Sequence, residues 1–100
     1  MVLEDIAQVI RSKNAGPRTI TFDIMFANDT DYRSVRESHA ISTEVISTLY
    51  QVPPEHVRII DYPLCRAIKI VMPRKITAGD PGDRDVYGAQ QHALLLRIPI

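Results

Sequence analysis

The chain has 100 residues, 45% of them hydrophobic, with four glycines and seven prolines, a make-up that fits one small globular domain and excludes a disordered or collagen-like chain. Twelve basic residues balance twelve acidic ones and the isoelectric point lies near 6.8, so no electrostatic footprint points to DNA, RNA or an anionic membrane surface. The lone cysteine, Cys65, excludes an internal disulfide, an iron–sulfur cluster and a structural zinc site built on thiolates.

Leu3, Ile6, Ala7 and Ile10 recur at helical spacing, with Glu4 and Asp5 at the start and Arg11 and Lys13 at the end. The pattern predicts an amphipathic helix stopped by Asn14, Gly16 and Pro17, with Arg11 to Pro17 as a loop. Glu4 and Asp5 also stand where a secretory signal needs a basic start and an apolar centre, and no apolar run reaches the roughly 18 to 20 residues of a membrane span. A soluble, unprocessed cytoplasmic chain is expected.

Arg18 to Phe26 alternates strictly, with Ile20, Phe22, Ile24 and Phe26 on one side, which predicts a strand buried on one face. Asn28, Asp29 and Thr30 offer caps for a helix through about Ser38. Ser42 or Thr43 offers one for a second helix containing Val45, Ile46, Leu49 and Tyr50, ended by Pro53 and Pro54. Val57 to Tyr62 and Arg66 to Met72 suit a hairpin turning at Pro63, Leu64 and Cys65. Arg74 to Gly82 is expected as a loop, and Asp83 to Gln91 as a helical turn or two. His92 to Ile100 alternates again and predicts a closing strand with Leu94, Leu96, Ile98 and Ile100 facing one way.

The order predicts one α+β domain over residues 1–100: a ferredoxin-like split-βαβ sandwich with a four-stranded antiparallel sheet and an additional N-terminal helix. In that topology Asp23, Lys69 and Arg97 come together on the sheet face without helices.

Two segments carry candidate chemistry. Arg11, Ser12, Lys13 and Asn14 place two cations beside a hydroxyl and an amide, a set suited to a carboxylate or phosphate; helix capping is the competing reading. Asp83, Arg84, Asp85, Tyr87, Gln90, Gln91 and His92 concentrate groups that orient polar ligands, against the reading of a loop tied down by Asp–Arg pairs. His92 and Asp83 are the proton-transfer candidates. His39 and His56 are expected at the surface. The pairs Asp29/Asp31 and Asp83/Asp85 lack the ligand count of a metal site, so neither metal nor cofactor is expected. Ser12 lacks a nucleophile elbow, and Cys65 beside Arg66 is weighed as an incidental thiol.

Taken together, Arg11-Ser12-Lys13-Asn14-Ala15-Gly16-Pro17, Asp23-Ile24-Met25-Phe26 and Pro81 through His92 resemble a family of short domains of unknown function, related to the small ferredoxin-fold domain of acyclic terpene utilisation (AtuA-like) proteins. The resemblance implies a small domain that works beside a larger catalytic-looking chain, on organic acids or their coenzyme A thioesters. The first loop of those relatives usually reads Arg-Ser-Gly-Asp-Lys-Gly, whereas here Lys13, Asn14 and Ala15 stand between Ser12 and Gly16.

The leading expectation is an accessory subunit that joins a larger AtuA-like chain and contributes polar loops to a shared site for an anionic acyl-type metabolite, in a hydratase or lyase reaction. Arg11 and Lys13 hold the anion with Ser12 and Asn14, while Arg84, Tyr87, Gln90 and Gln91 orient it. The alternative is a non-catalytic homo-oligomeric binding or regulatory module. A stand-alone enzyme ranks third.

Overall fold

In the computed structural model, residues 1–74, 81 and 91–100 are described, the side chain of Gln91 apart. The chain opens on a four-residue helix α1 (Leu3–Ile6), followed by strands β1 (Val9–Asn14) and β2 (Thr19–Met25). Helices α2 (Asp29–Ser38) and α3 (Thr43–Tyr50) come next, then strands β3 (Arg58–Tyr62) and β4 (Ala67–Pro73), and a 3-10 helix at Gln91–Leu95. The sheet has four strands, ordered β1-β2-β4-β3, and every neighbouring pair is antiparallel. The α+β class and the four-stranded antiparallel sheet match the sequence reading; the strand that fills the outer place beside β2 does not.

That place belongs to β1, not to the C-terminal segment. The expected opening helix stops at Ala7, whose backbone is already extended, and Gln8 N–H donates to the Met25 carbonyl at 2.8 Å. From there Val9 to Asn14 pair residue by residue with Met25 to Ile20. A short helix forms few internal hydrogen bonds for the entropy it costs, whereas β2 offers a whole edge. Asn14, Gly16 and Pro17, expected to stop a helix, instead turn a hairpin. Gly16 takes the left-handed φ of 92° that the turn requires, and Ala15 N–H donates to the Thr19 carbonyl at 2.9 Å.

The C-terminal segment is correspondingly not a strand. Leu95 and Ile98, three apart, are the buried members, at 0% and 5% exposure, while Leu94 is 50% exposed. This is the spacing of a 3-10 turn rather than of alternation. The chain end then clasps the start: Leu3 and Glu4 N–H donate to the carbonyls of Ile98 and Leu96, and Ile100 N–H donates to that of Met1. The first amides of α1, unpaired in any helix, are thereby satisfied.

The core lies on one side of the sheet. Ile20, Phe22 and Ile24 from β2 and Ile68, Ile70 and Met72 from β4 meet Tyr32 and Val35 of α2, Ile46 and Tyr50 of α3, and Leu95. The Phe22 and Tyr50 rings lie 5.1 Å apart. Asn28 and Ser42 cap their helices as read from sequence, their side chains accepting from Asp31 N–H at 2.8 Å and Val45 N–H at 3.1 Å. Among the described residues no helix is long and apolar enough to cross a membrane.

Candidate anion-binding face

Because β1 is a strand, its side chains alternate between faces, and the run Arg11-Ser12-Lys13-Asn14 splits in two. Register places Ser12 opposite Phe22 and Asn14 opposite Ile20, both on the covered face. Arg11 stands opposite Asp23 and Lys13 opposite Thr21, on the open one.

On the covered face Ser12 is 7% exposed, and its Oγ accepts from the backbone N–H of His92 at 3.1 Å. Asn14 Oδ1 accepts from Arg74 Nη1 at 2.8 Å, and Arg74 N–H donates to the Arg18 carbonyl. Ser12 thus pins the start of the 3-10 helix to β1, and Asn14 ties the end of β4 to the β1–β2 turn. A buried hydroxyl that already accepts a main-chain hydrogen bond is a structural fastener before it is a ligand group.

On the open face, the row across the four strands reads Arg11, Asp23, Lys69, Ile60. Arg11 Nε lies 3.3 Å from Asp23 Oδ2 and Lys69 Nζ 3.9 Å from Asp23 Oδ1. The Asp23 side chain is only 13% exposed, against 57% for Arg11 and 32% for Lys69, so the carboxylate sits below the two cations. The next row reads Lys13, Thr21, Val71, Arg58, and the row on the other side Val9, Met25, Ala67, Tyr62. Thr21 is buried and its hydroxyl donates to the Lys13 carbonyl at 3.3 Å. Among the described residues, Arg11, Lys13, Lys69 and Arg58 therefore share this face with one carboxylate, beside an apolar row.

The convergence expected for Asp23, Lys69 and Arg97 occurs with a different third member. Arg11 takes the place assigned to Arg97, because β1 occupies the strand position expected of the C-terminal segment; Arg97 is exposed on the helical side of the molecule. Arg58 was missed by the sequence reading, although its position two residues before Ile60 carried the signal.

His92 is half-buried, and its backbone meets Ser12 from the covered face, whereas Arg11 and Lys13 project from the other. Of the second motif, His92 thus meets β1 at Ser12, on the side opposite Arg11 and Lys13. Asp83, Arg84, Asp85, Tyr87 and Gln90, and the side chain of Gln91, lie outside the described residues.

The remaining candidates have other duties. Asp29 pairs with Arg66 at 3.1 Å, and Asp31 accepts from the Asn28 amide at 3.2 Å. Cys65, His39 and His56 are exposed. Among the described residues no three of His, Cys, Asp and Glu gather as a metal-binding group.

The fold and this face define a small α+β domain with one packed and one charged sheet surface. A family model described as a domain of unknown function, DUF4387, matches residues 3–99, and the chain belongs to that family. No curated protein and no solved structure matches it at a significant level.

Proposed function

We propose that the chain is a small accessory subunit whose open sheet face forms one wall of a shared site for an anionic, acyl-type metabolite, the other wall coming from a larger chain. The observation that carries this reading is the surplus of Arg11, Lys13, Lys69 and Arg58 over Asp23, immediately beside the row Val9, Met25, Ala67 and Tyr62. Cations at fixed strand spacing hold a carboxylate or phosphate, and the adjoining apolar row accepts an acyl chain. An open sheet encloses no ligand by itself, which is the physical reason for a second wall. The resemblance of the two motifs to AtuA-like domains favours the same partner and substrate class.

Within that site Arg11 and Lys13 hold the anion. Ser12 and Asn14 keep β1, Arg74 and His92 in register from the opposite side of β1, which leaves Asp83 as the proposed proton-transfer group. Arg84, Tyr87, Gln90 and Gln91 remain the proposed orienting groups, and hydration or elimination at the acyl chain is the reaction class in view.

Titration with a short-chain acyl coenzyme A thioester tests the reading, with and without the larger chain that co-purifies from the native host. Binding is expected to weaken strongly in the Arg11→Ala/Lys13→Ala double variant. A chain always recovered alone, with no affinity for such anions, contradicts it. The same face also favours a second reading. Tyr62 and Val9, 44% and 37% exposed, suit a non-catalytic homo-oligomeric binding or regulatory module, and the host co-purification separates the two.

A further inference from the structure

Helices α2 and α3 both line the core, but their outer surfaces differ. Helix α2 turns Tyr32 and Val35 inward and leaves Arg33, Ser34, Arg36 and Glu37 in solvent, the ordinary division of an amphipathic helix. Helix α3 turns Ile46 and Tyr50 inward yet also carries Val45, 36% exposed, and Leu49 on an adjoining arc. That second apolar arc faces the C-terminal segment across a groove of about 450 Å³, lined by Val45, Thr48, Leu49, Leu94, Ile98 and Pro99.

One charged residue stands on each wall: Glu44 on α3 and Arg97 on the C-terminal segment, both exposed. No ion pair links either of them to another described residue. The Glu44 carboxylate lies below the usual range, held first by its own backbone N–H and then by the Thr43 hydroxyl at the start of α3, so it is charged at neutral pH.

We propose that this groove is the self-association surface of the chain, where a second copy packs its own Leu94 and Val45 about a two-fold axis with Glu44 of each copy facing Arg97 of the other. An isologous interface requires a patch that complements itself. An apolar centre with one acid and one base on opposite walls meets that requirement, since the two-fold operation brings unlike charges together at both ends. A polar small-molecule site would instead gather its polar groups toward one point. The surface is distinct from the basic sheet face, so a dimer formed here leaves Arg11, Lys13 and Lys69 open.

The test is the oligomeric state of the full chain by light scattering and native mass spectrometry, from low micromolar to near-millimolar concentration. The wild type is expected to be dimeric at the upper end. Glu44→Arg alone and Arg97→Glu alone each set like charges against one another at both ends and are expected to be monomeric. An equimolar mixture of the two variants restores both pairs and is expected to yield a heterodimer. Leu94→Arg, which changes no acid–base pair, is expected to abolish association as well. Thermal melting of every variant establishes that it is folded. A wild type monomeric throughout, single variants that remain dimeric, or folded variants that fail to associate on mixing would each overturn the proposal.

Discussion

The two faces of the sheet are made from alternate residues of the same strands and have opposite characters. The covered face contributes Phe22, Ile24 and Ile70 at 0% exposure; the open face carries Arg11, Lys13, Lys69 and Arg58 around Asp23. Strand parity, and not position along the chain, therefore decides what a residue of β1 does. Ser12 and Lys13 are neighbours in sequence, yet one fastens the 3-10 helix and the other faces away from the core.

The comparison is broken most severely from the covered side. Phe22→Ala removes a ring that touches Tyr50 and fills the centre of the core, and urea denaturation is expected to show a loss of about 3–5 kcal/mol. Ser12→Ala removes the acceptor of the half-buried His92 N–H; a loss of about 1 kcal/mol is expected. Its neighbour supplies the contrast, since Lys13→Ala should change stability by no more than about 0.5 kcal/mol. Equal losses for the two would show that β1 does not alternate as described.

Alkaline titration separates the faces next. Burial raises the Tyr50 hydroxyl well above the usual tyrosine value of 10.0, and Tyr32 is raised by burial first and then by Asp61. Above pH 10 the unfolded chain gives up these protons while the folded chain keeps them. Stability is accordingly full below that pH and falls above it, by at most about 1.4 kcal/mol per pH unit for each such group. Denaturation followed between pH 9 and about 11 should show the fall, with a shallower slope in Tyr50→Phe. A flat profile in the wild type counts against the buried placement. The smallest stability effect belongs to the open face: Asp23→Asn ends two largely solvent-screened ion pairs and should cost less than about 1 kcal/mol. By removing the only carboxylate among the described residues of that face, the same substitution should tighten anion binding, a change calorimetry can read.

Much of this architecture was legible in the residues. The alternation from Ile20 to Phe26, the caps Asn28 and Ser42, and the β3–β4 hairpin are local signals, and each formed where its pattern indicated. Two segments misled for one shared reason. Leu3, Ile6, Ala7 and Ile10 fit a helical period by coincidence, and His92 to Ile100 fits an alternating one, but only one segment can pair with the free edge of β2. That competition is non-local, and the six-residue pairing of β1 settles it. The site inherited the consequence. Asp23 and Lys69 were correctly placed together, while their partner became Arg11 instead of Arg97. A run of four polar residues also looks like one site in sequence, although a strand necessarily deals it to two faces.

The central claim is that the open face, through its odd-numbered β1 cations, is where an anionic acyl group binds. Backbone and side-chain NMR shifts followed during titration with an acyl coenzyme A thioester test it most directly. The account predicts changes concentrated at Val9, Arg11, Lys13, Asp23 and Lys69, with Phe22, Ile24 and Ile70 undisturbed. Changes confined to the helical side of the molecule, with Arg11 and Lys13 unmoved at saturation, would contradict it.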